Sequence, residues 1–278
     1  MKLSIITINY NNAVGLKNTL DSVAAQTCTD FEHIIVDGAS TDGSVDIIRE
    51  YEQSLASNLS PLTSHLTWLS EPDTGIYNAM NKGVRLAKGE YTLMLNSGDY
   101  LVDEYVIEKV LPSLDGIDII QGNTVSVINY KEVINRGYAK SDISFIDIMK
   151  GYFLHQASFC RRVLFDKYGM FDESYRINGD TVFYAKCLAF GSATFRYVDL
   201  NIAFFDITGI SMDPEGKWRR LRKEEDERYA QLFSNRMWNL HKYEEKKIKL
   251  YDKLHAHHWS WSLTMIIVHL CNWFYRNR

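Results

Sequence analysis

Apolar positions along the first part of the chain follow two alternating patterns. LSIITINY, Leu3 to Tyr10, is a short β-branched run of the kind expected of a strand covered on both faces. Leu16, Leu20, Val23 and Ala24 then recur at helical spacing, with Asn11 and Asn12 placed to cap that helix. HIIVD is a second strand, and Thr41 and Asp42 precede a helix carrying Val45, Ile48, Tyr51 and Leu55. HLTWLSEP reads as a third strand, and IYNAMNKGVRLAKG as a helix with Ile76, Met80, Val84 and Ala87 on one face. EYTLMLNSGDYL is a fourth strand, VIEKVLPSL a helix and IDIIQGNTVSVI a further strand.

Strands alternating with helices predict an α/β fold, with a mostly parallel, Rossmann-like sheet and helices on both faces. Beyond about residue 130 the alternation blurs into a smaller α+β half. From Trp218 the chain reads as a charged helix, and it ends in an aromatic tail. No internal repeat or low-complexity segment interrupts it.

Composition narrows the class. With 278 residues, 46% hydrophobic and 24% charged, the chain has the make-up of a folded globular protein. A net charge of −4 gives no global reason to bind nucleic acid. Cys28, Cys160, Cys187 and Cys271 are scattered, without zinc spacing, and read as small buried hydrophobes of a reducing compartment. The N-terminal MKLSIITINY has no apolar leader with a cleavage site, so a cytoplasmic protein is expected.

Candidate chemistry lies at the strand ends. Ligands of open α/β sheets sit outside the carboxyl ends of the strands. Asp37, Asp73 and Asp99 all fall there, each beside Gly, Ser or Thr. A single such Asp is commonly a turn residue or helix cap; three in succession point to a site. Asp37 accepts hydrogen bonds only, which suits an N–H donor such as a pyrimidine imide. Asp99 suits a divalent cation bridging phosphate oxygens, and Lys82 with the nearby helix N-terminus adds positive potential. Neither GxGxxG nor GxxxxGK[ST] occurs, which counts against dinucleotide enzymes and P-loop NTPases.

SIITINYNNAVGLKNTLDSVAAQT, IIVDGASTDGS, EPDTGIYNAMNKGVRLAKGEYTLMLNSGD and HQASFCRRVLFDKYGMFDE, in that order, resemble the successive motifs of family 2 glycosyltransferases. The resemblance covers roughly residues 1–210. It implies the GT-A fold, with a nucleotide-binding half (1–125), an acceptor half (126–210) and an appended helical tail (211–278). It also implies inverting transfer of a sugar from a nucleotide-diphosphate donor, UDP-linked in this reading, to a glycan or polyprenyl-linked acceptor. By the same resemblance Thr7, Asn9 and Asp37 line the nucleoside pocket, with Asp73 and Lys82 nearby. The family's D-x-D metal motif becomes Asn96 and Gly98 here, leaving Asp99 to hold Mn²⁺ or Mg²⁺ with oxygens supplied by the phosphates. The resemblance places the general base in FDESYRINGDTVFY, at Asp180; its position before Thr181 would also allow it to cap the helix that follows. His155 and Gln156 border the acceptor groove by resemblance. Arg161 and Arg162 either contact a phosphate on the acceptor or form a solvated face.

WSWSLTMIIVHLCNWFY, Trp259 to Tyr275, reaches about 26 Å as a helix, short for a bilayer, with polar interruptions and terminal Trp residues. An interfacial helix on the inner face of the plasma membrane is the expectation. Packing on the domain or on a second copy, and spanning, are the alternatives. A nucleotidylyltransferase and a non-catalytic nucleotide-sugar-binding subunit are the rival functions. The first would need a Gly-rich basic loop after strand 1, where NYNNAVG stands.

Overall fold

In the computed structural model, residues 1–233 are described apart from 59, 61, 63, 64, 129, 140–142, 152, 211 and 213–215, together with residue 246. The apolar run becomes β1 (Leu3–Asn9), buried at all seven positions. Successive side chains of a strand point to opposite faces, so a run apolar at both parities needs a cover on each side. Leu3 and Ile5 pack with Phe31 and Ile35 of β2 (Phe31–Asp37). Leu16, Leu20 and Val23 of α1 (Ala13–Ala24) and Ile48, Tyr51 and Leu55 of α2 (Ser44–Ser57) complete that core. Ile6 faces the other way, against α3 (Ile76–Leu86), where Gly83 approaches it too closely for any Cβ. Helices therefore cover both faces. Each buried Leu or Ile contributes about 1.5–3 kcal/mol of burial free energy.

The sheet runs in the order β3-β2-β1-β4-β8-β6-β9-β5, with β7 paired to β6. Its members beyond β2 are β3 (Leu66–Ser70), β4 (Tyr91–Met94), β5 (Tyr100–Leu101) and β6 (Ile119–Ile128). Then come β7 (Lys131–Asn135), β8 (Ser158–Arg161) and β9 (Phe195–Phe204). The stretch β3-β2-β1-β4 is wholly parallel. β8 enters antiparallel between β4 and β6, β9 lies parallel to β6, and β5 closes antiparallel on β9. The blurred pattern after residue 130 corresponds to this mixed half, with α5 (Phe145–Met149), α6 (Val163–Tyr168) and α7 (Gly179–Leu188). The charged run forms α8 (Arg219–Gln231), and Met1–Tyr229 make one compact unit.

Three local readings change. EYTLMLNSGDYL is not one strand: it breaks after β4 into a turn in which the Asp99 N–H bonds the Asn96 carbonyl, with Gly98 at φ 104°. Glycine takes that left-handed conformation without a steric penalty. The chain resumes as β5 on the far side of β9. Asn12 caps α1 by accepting from the Gly15 N–H, as expected, but α2 is preceded by Gly43 with no side-chain cap. The Asp42 carboxylate instead accepts from Ser44 N–H and from Ala13 N–H, tying α2 to α1. VIEKVLPSL is helical only as α4 (Val106–Val110) and then tightens into a 3-10 turn around Pro112, which has no N–H to continue the helix. Residues 259–275, the predicted interfacial helix, lie outside the described residues. Among the described residues no helix is long and apolar enough to cross a membrane.

Candidate active site

The carboxyl ends of β1, β2, β3 and β4 open onto one cavity of about 970 Å³, within the range of ligand sites. Asn9, Gly38, Asp73, Asn96 and Asp99 line it from these ends, while His155, Gln156, Asp180 and Asp206 line it from the second half. The break at Gly98 matters here, because a continuous strand would have carried Asn96 and Asp99 past the sheet edge.

Asp180 does not cap α7. The helix starts at Gly179, and the Asp180 carboxylate, in the first turn and 8% exposed, is held by two side chains instead. His155 Nδ1 lies 3.0 Å from its Oδ2, and Tyr77 Oη lies 3.0 Å from its Oδ1. The same phenol donates to the Ile177 carbonyl at 2.6 Å. One hydroxyl proton serves both, so Oδ1 keeps acceptor capacity. A Cβ at Gly179 would lie 2.7 Å from the Tyr77 ring. The absence of a side chain at Gly179 therefore lets the Tyr77 ring lie close beneath the carboxylate.

With Nδ1 as donor, His155 Nε2 accepts from Asn96 Nδ2 at 3.2 Å, which leaves Asn96 Oδ1 buried without a partner. Burial alone would lower the His155 pKa. The hydrogen bond and charge of Asp180, with the charge of Asp99, carry it above its ordinary value. The Asp99 carboxyl is pushed up to about 7, chiefly by burial, against the pull of His155 and a hydrogen bond from the Asp206 N–H. The Asp206 carboxylate fills the space that a side chain at position 98 would need: a Cβ on Gly98 would lie 2.7 Å from its Oδ2.

For a divalent cation, this set offers hard oxygens from Asp99 and the unpartnered Asn96 Oδ1. Among the described residues no cluster of three or more His, Cys, Asp or Glu is placed to hold a metal. Such a set fits an ion that takes most of its ligands from phosphates and water, as Mg²⁺ commonly does.

At the carboxyl end of β1, Asn9 lines the cavity and its Oδ1 is likewise buried without a partner. Asp37 is fully buried and its carboxylate is saturated, accepting from Asn9 Nδ2, Ser40 N–H, Ser40 Oγ and Ser70 Oγ. Burial raises its pKa, but the bonds from Ser40, Ser70 and Asn9 outweigh that and hold it below the usual carboxylate range. It therefore orients Asn9 and the loop Gly38–Ser40, and does not itself line the cavity. Thr7 points into the core, where its hydroxyl meets His33 Nε2 at 3.0 Å. Asp73 lines the cavity and accepts from the Gly75 N–H at 2.8 Å. Lys82 turns away, to Glu71 at 2.8 Å and the Pro72 carbonyl. Arg161 sits opposite Tyr91 at the far end of β4, paired with Asp118 and Glu90, and Arg162 donates to the Gly89 carbonyl. Neither arginine lines the cavity.

Tyr77 and Asp206 were not singled out from the sequence. Tyr77 lies two residues past the EPDTG turn, which is the one local signal it had. Asp206 lies in FFDITG, a segment with no motif of its own, and joins the site because β9 runs parallel to β6 and delivers its carboxyl end there.

Comparison with known proteins gives the family and the fold. Residues 4–171 match the family model for glycosyl transferase family 2. A PGL/p-HBAD biosynthesis glycosyltransferase of Mycobacterium bovis is 32% identical over 209 residues, covering 74% of this chain and 77% of the relative. An uncharacterized glycosyltransferase of Mycobacterium tuberculosis is 30% identical over 230 residues, covering 81% and 83%. Among solved structures, S. aureus TarS 1-349 in complex with UDP-GlcNAc superposes with a TM-score of 0.62 at 21% identity, covering 77% of this chain and 61% of that one. The mannosyltransferase PcManGT from Pyrobaculum calidifontis, in complex with GDP-Man and Mn²⁺, gives 0.58 at 18% identity, covering 80% and 60%. The chain thus spans less than two thirds of either solved chain, and the likeness to both is one of fold, the GT-A fold. From the family model and the curated relatives, the chain belongs to glycosyl transferase family 2 and is a glycosyltransferase.

Proposed function

We propose that the protein moves a hexose, with inversion, from a UDP-type sugar donor to a hydroxyl of a glycan or lipid-linked acceptor in cell-surface polysaccharide assembly. What carries this reading is that Asp180 and Asp99 line one cavity, with His155 bonded to Asp180 through one ring nitrogen and to Asn96 through the other. Asp180 is the general base. It takes the proton of the acceptor hydroxyl as that oxygen bonds to the anomeric carbon, while the bond from this carbon to the diphosphate breaks and its electron pair leaves with the phosphate. His155 and Tyr77 hold the carboxylate in place and keep Oδ1 available. Asn9 and Asp73 border the nucleoside.

A divalent cation, Mn²⁺ or Mg²⁺, would be held by Asp99 with Asn96 and would supply electrostatic stabilisation of the departing diphosphate. The neighbour holding GDP-Man and Mn²⁺ and the neighbour holding UDP-GlcNAc support this class of donor. His155 and Gln156 border the acceptor, and the aromatic segment 259–275 is proposed to bring the enzyme to the membrane where a polyprenyl-linked acceptor resides.

Two measurements test the reading. Calorimetry with UDP, with and without Mn²⁺, is expected to give metal-linked binding. Asp180→Asn should keep that binding while turnover falls by about 10²–10⁴-fold, the usual effect of losing a general base. Undiminished turnover in Asp180→Asn removes this residue from the mechanism. Binding without sugar release on any acceptor would instead leave a non-catalytic subunit.

A further inference from the structure

Helix α8 is one of the most highly charged stretches of the chain, yet Glu225 within it is only 1% exposed. Its carboxylate accepts from three successive backbone N–H groups: Arg176 at 2.6 Å on Oε1, then Ile177 and Asn178, each at 2.9 Å, on Oε2. Burying a carboxylate is costly unless its lone pairs are filled, and three charge-assisted bonds to backbone donors fill them. These donors are the last three residues before α7, whose second residue is Asp180.

The contact reaches the carboxylate by a second route. Ile177 gives its N–H to Glu225 and its carbonyl to Tyr77, and Tyr77 touches Asp180. Around this point α8 is fastened by other bonds. Asp226 accepts from Asn178 Nδ2, Arg228 donates to Ser174 and covers the Tyr175 ring at 3.9 Å, and Tyr229 donates to the Ile148 carbonyl. Those bonds anchor the helix. Among the described residues of α8, Glu225 is the one that takes the backbone N–H groups leading into α7.

We infer that Glu225 is a positioning residue for the catalytic carboxylate: by fixing residues 176–178 it sets where Asp180 meets Tyr77 and His155 at the cavity wall. The inference rests on Asp180 being the base. Near-attack geometry is steep in distance, and a displacement of about 1 Å can cost about 10²-fold in rate. A Gln in place of Glu225 keeps one oxygen for two of the three N–H groups and turns an amide NH₂ towards the third.

The test compares Glu225→Ala, Glu225→Gln and Arg228→Ala in the full-length protein, with Asp180→Asn alongside. Steady-state kinetics are run on folded protein well below each variant's Tm. Glu225→Ala is expected to lower kcat by about 10²-fold with Glu225→Gln between it and wild type, while donor KM and UDP affinity stay at wild-type values. Arg228→Ala loosens the same helix without releasing residues 176–178 and should keep kcat within about twofold of wild type, as expected when the near-attack geometry is untouched. Should Glu225→Ala fail to fold, Glu225→Gln carries the comparison alone. The inference is overturned if the Glu225 variants lose no more kcat than Arg228→Ala, or if donor KM and UDP affinity weaken in step with kcat. An active Asp180→Asn, by contrast, overturns the base assignment itself, so the two failures are told apart.

Discussion

His33 is buried between Thr7 and Tyr51, its ring nitrogens 3.0 and 3.1 Å from the two hydroxyls. Burial lowers its pKa to about 3, so the folded protein keeps the imidazole neutral where an unfolded chain would protonate it near 6.5. The unfolded state then binds more protons as pH falls, and the linkage sign is fixed. Stability from this group is full above about pH 6.5, declines as pH drops below it, and stops declining only near pH 3. By pH 4.5 the loss should reach about 3 kcal/mol. Urea unfolding at pH 7 and pH 4.5 measures it, and His33→Gln should lack this part of the acid sensitivity. Matching pH profiles in the two proteins would refute the assignment. Thr7 belongs to this buried relay and does not line the cavity, a distinction that no local pattern around it carries.

Among the elements, α1 shows how a cap can serve both fold and site. Asn12 accepts from the Gly15 N–H at 3.1 Å and donates to the Ser97 carbonyl at 3.1 Å, so it joins the helix N-terminus to the turn that presents Asp99. Asn12→Ala should cost about 1–2 kcal/mol, a lost cap together with an unpaired carbonyl. Asn12→Ser should recover most of the stability, because a serine oxygen can still cap, but cannot restore the bond to Ser97. Thermal denaturation of the two variants separates the contributions; equal losses would mean that the cap contributes nothing. The β4 break follows the same logic. Its apolar residues read on into the polar turn as one strand, and the positive φ at Gly98 ends it.

At the scale of the whole molecule, the parallel half and the mixed half form one unit, Met1–Tyr229, and bring together carboxylates far apart in sequence. The aromatic segment is a separate question from this fold. Removing residues 256–278 should shift the protein from membrane to soluble fractions and leave sugar-donor hydrolysis unchanged. An unaltered distribution would favour packing of that segment on protein.

The order of strands and helices in the first half, the helices on both sheet faces and the strand-end position of Asp73 were all determined by local patterning. The β-branched runs and the helical spacing of Leu16, Leu20 and Val23 leave few other ways to bury those surfaces. The family itself was legible, since its motifs are contiguous. The residues that hold Asp180 were not: Tyr77 reaches it across 103 positions and His155 across 25. Glu225 spans 47 to 49 positions to the N–H groups it accepts from, and it reads as one more solvated charge in KEEDER. Hydrogen bonds of this kind depend on angles and separations fixed only when the sheet closes and α8 docks, and a linear pattern carries no such distances.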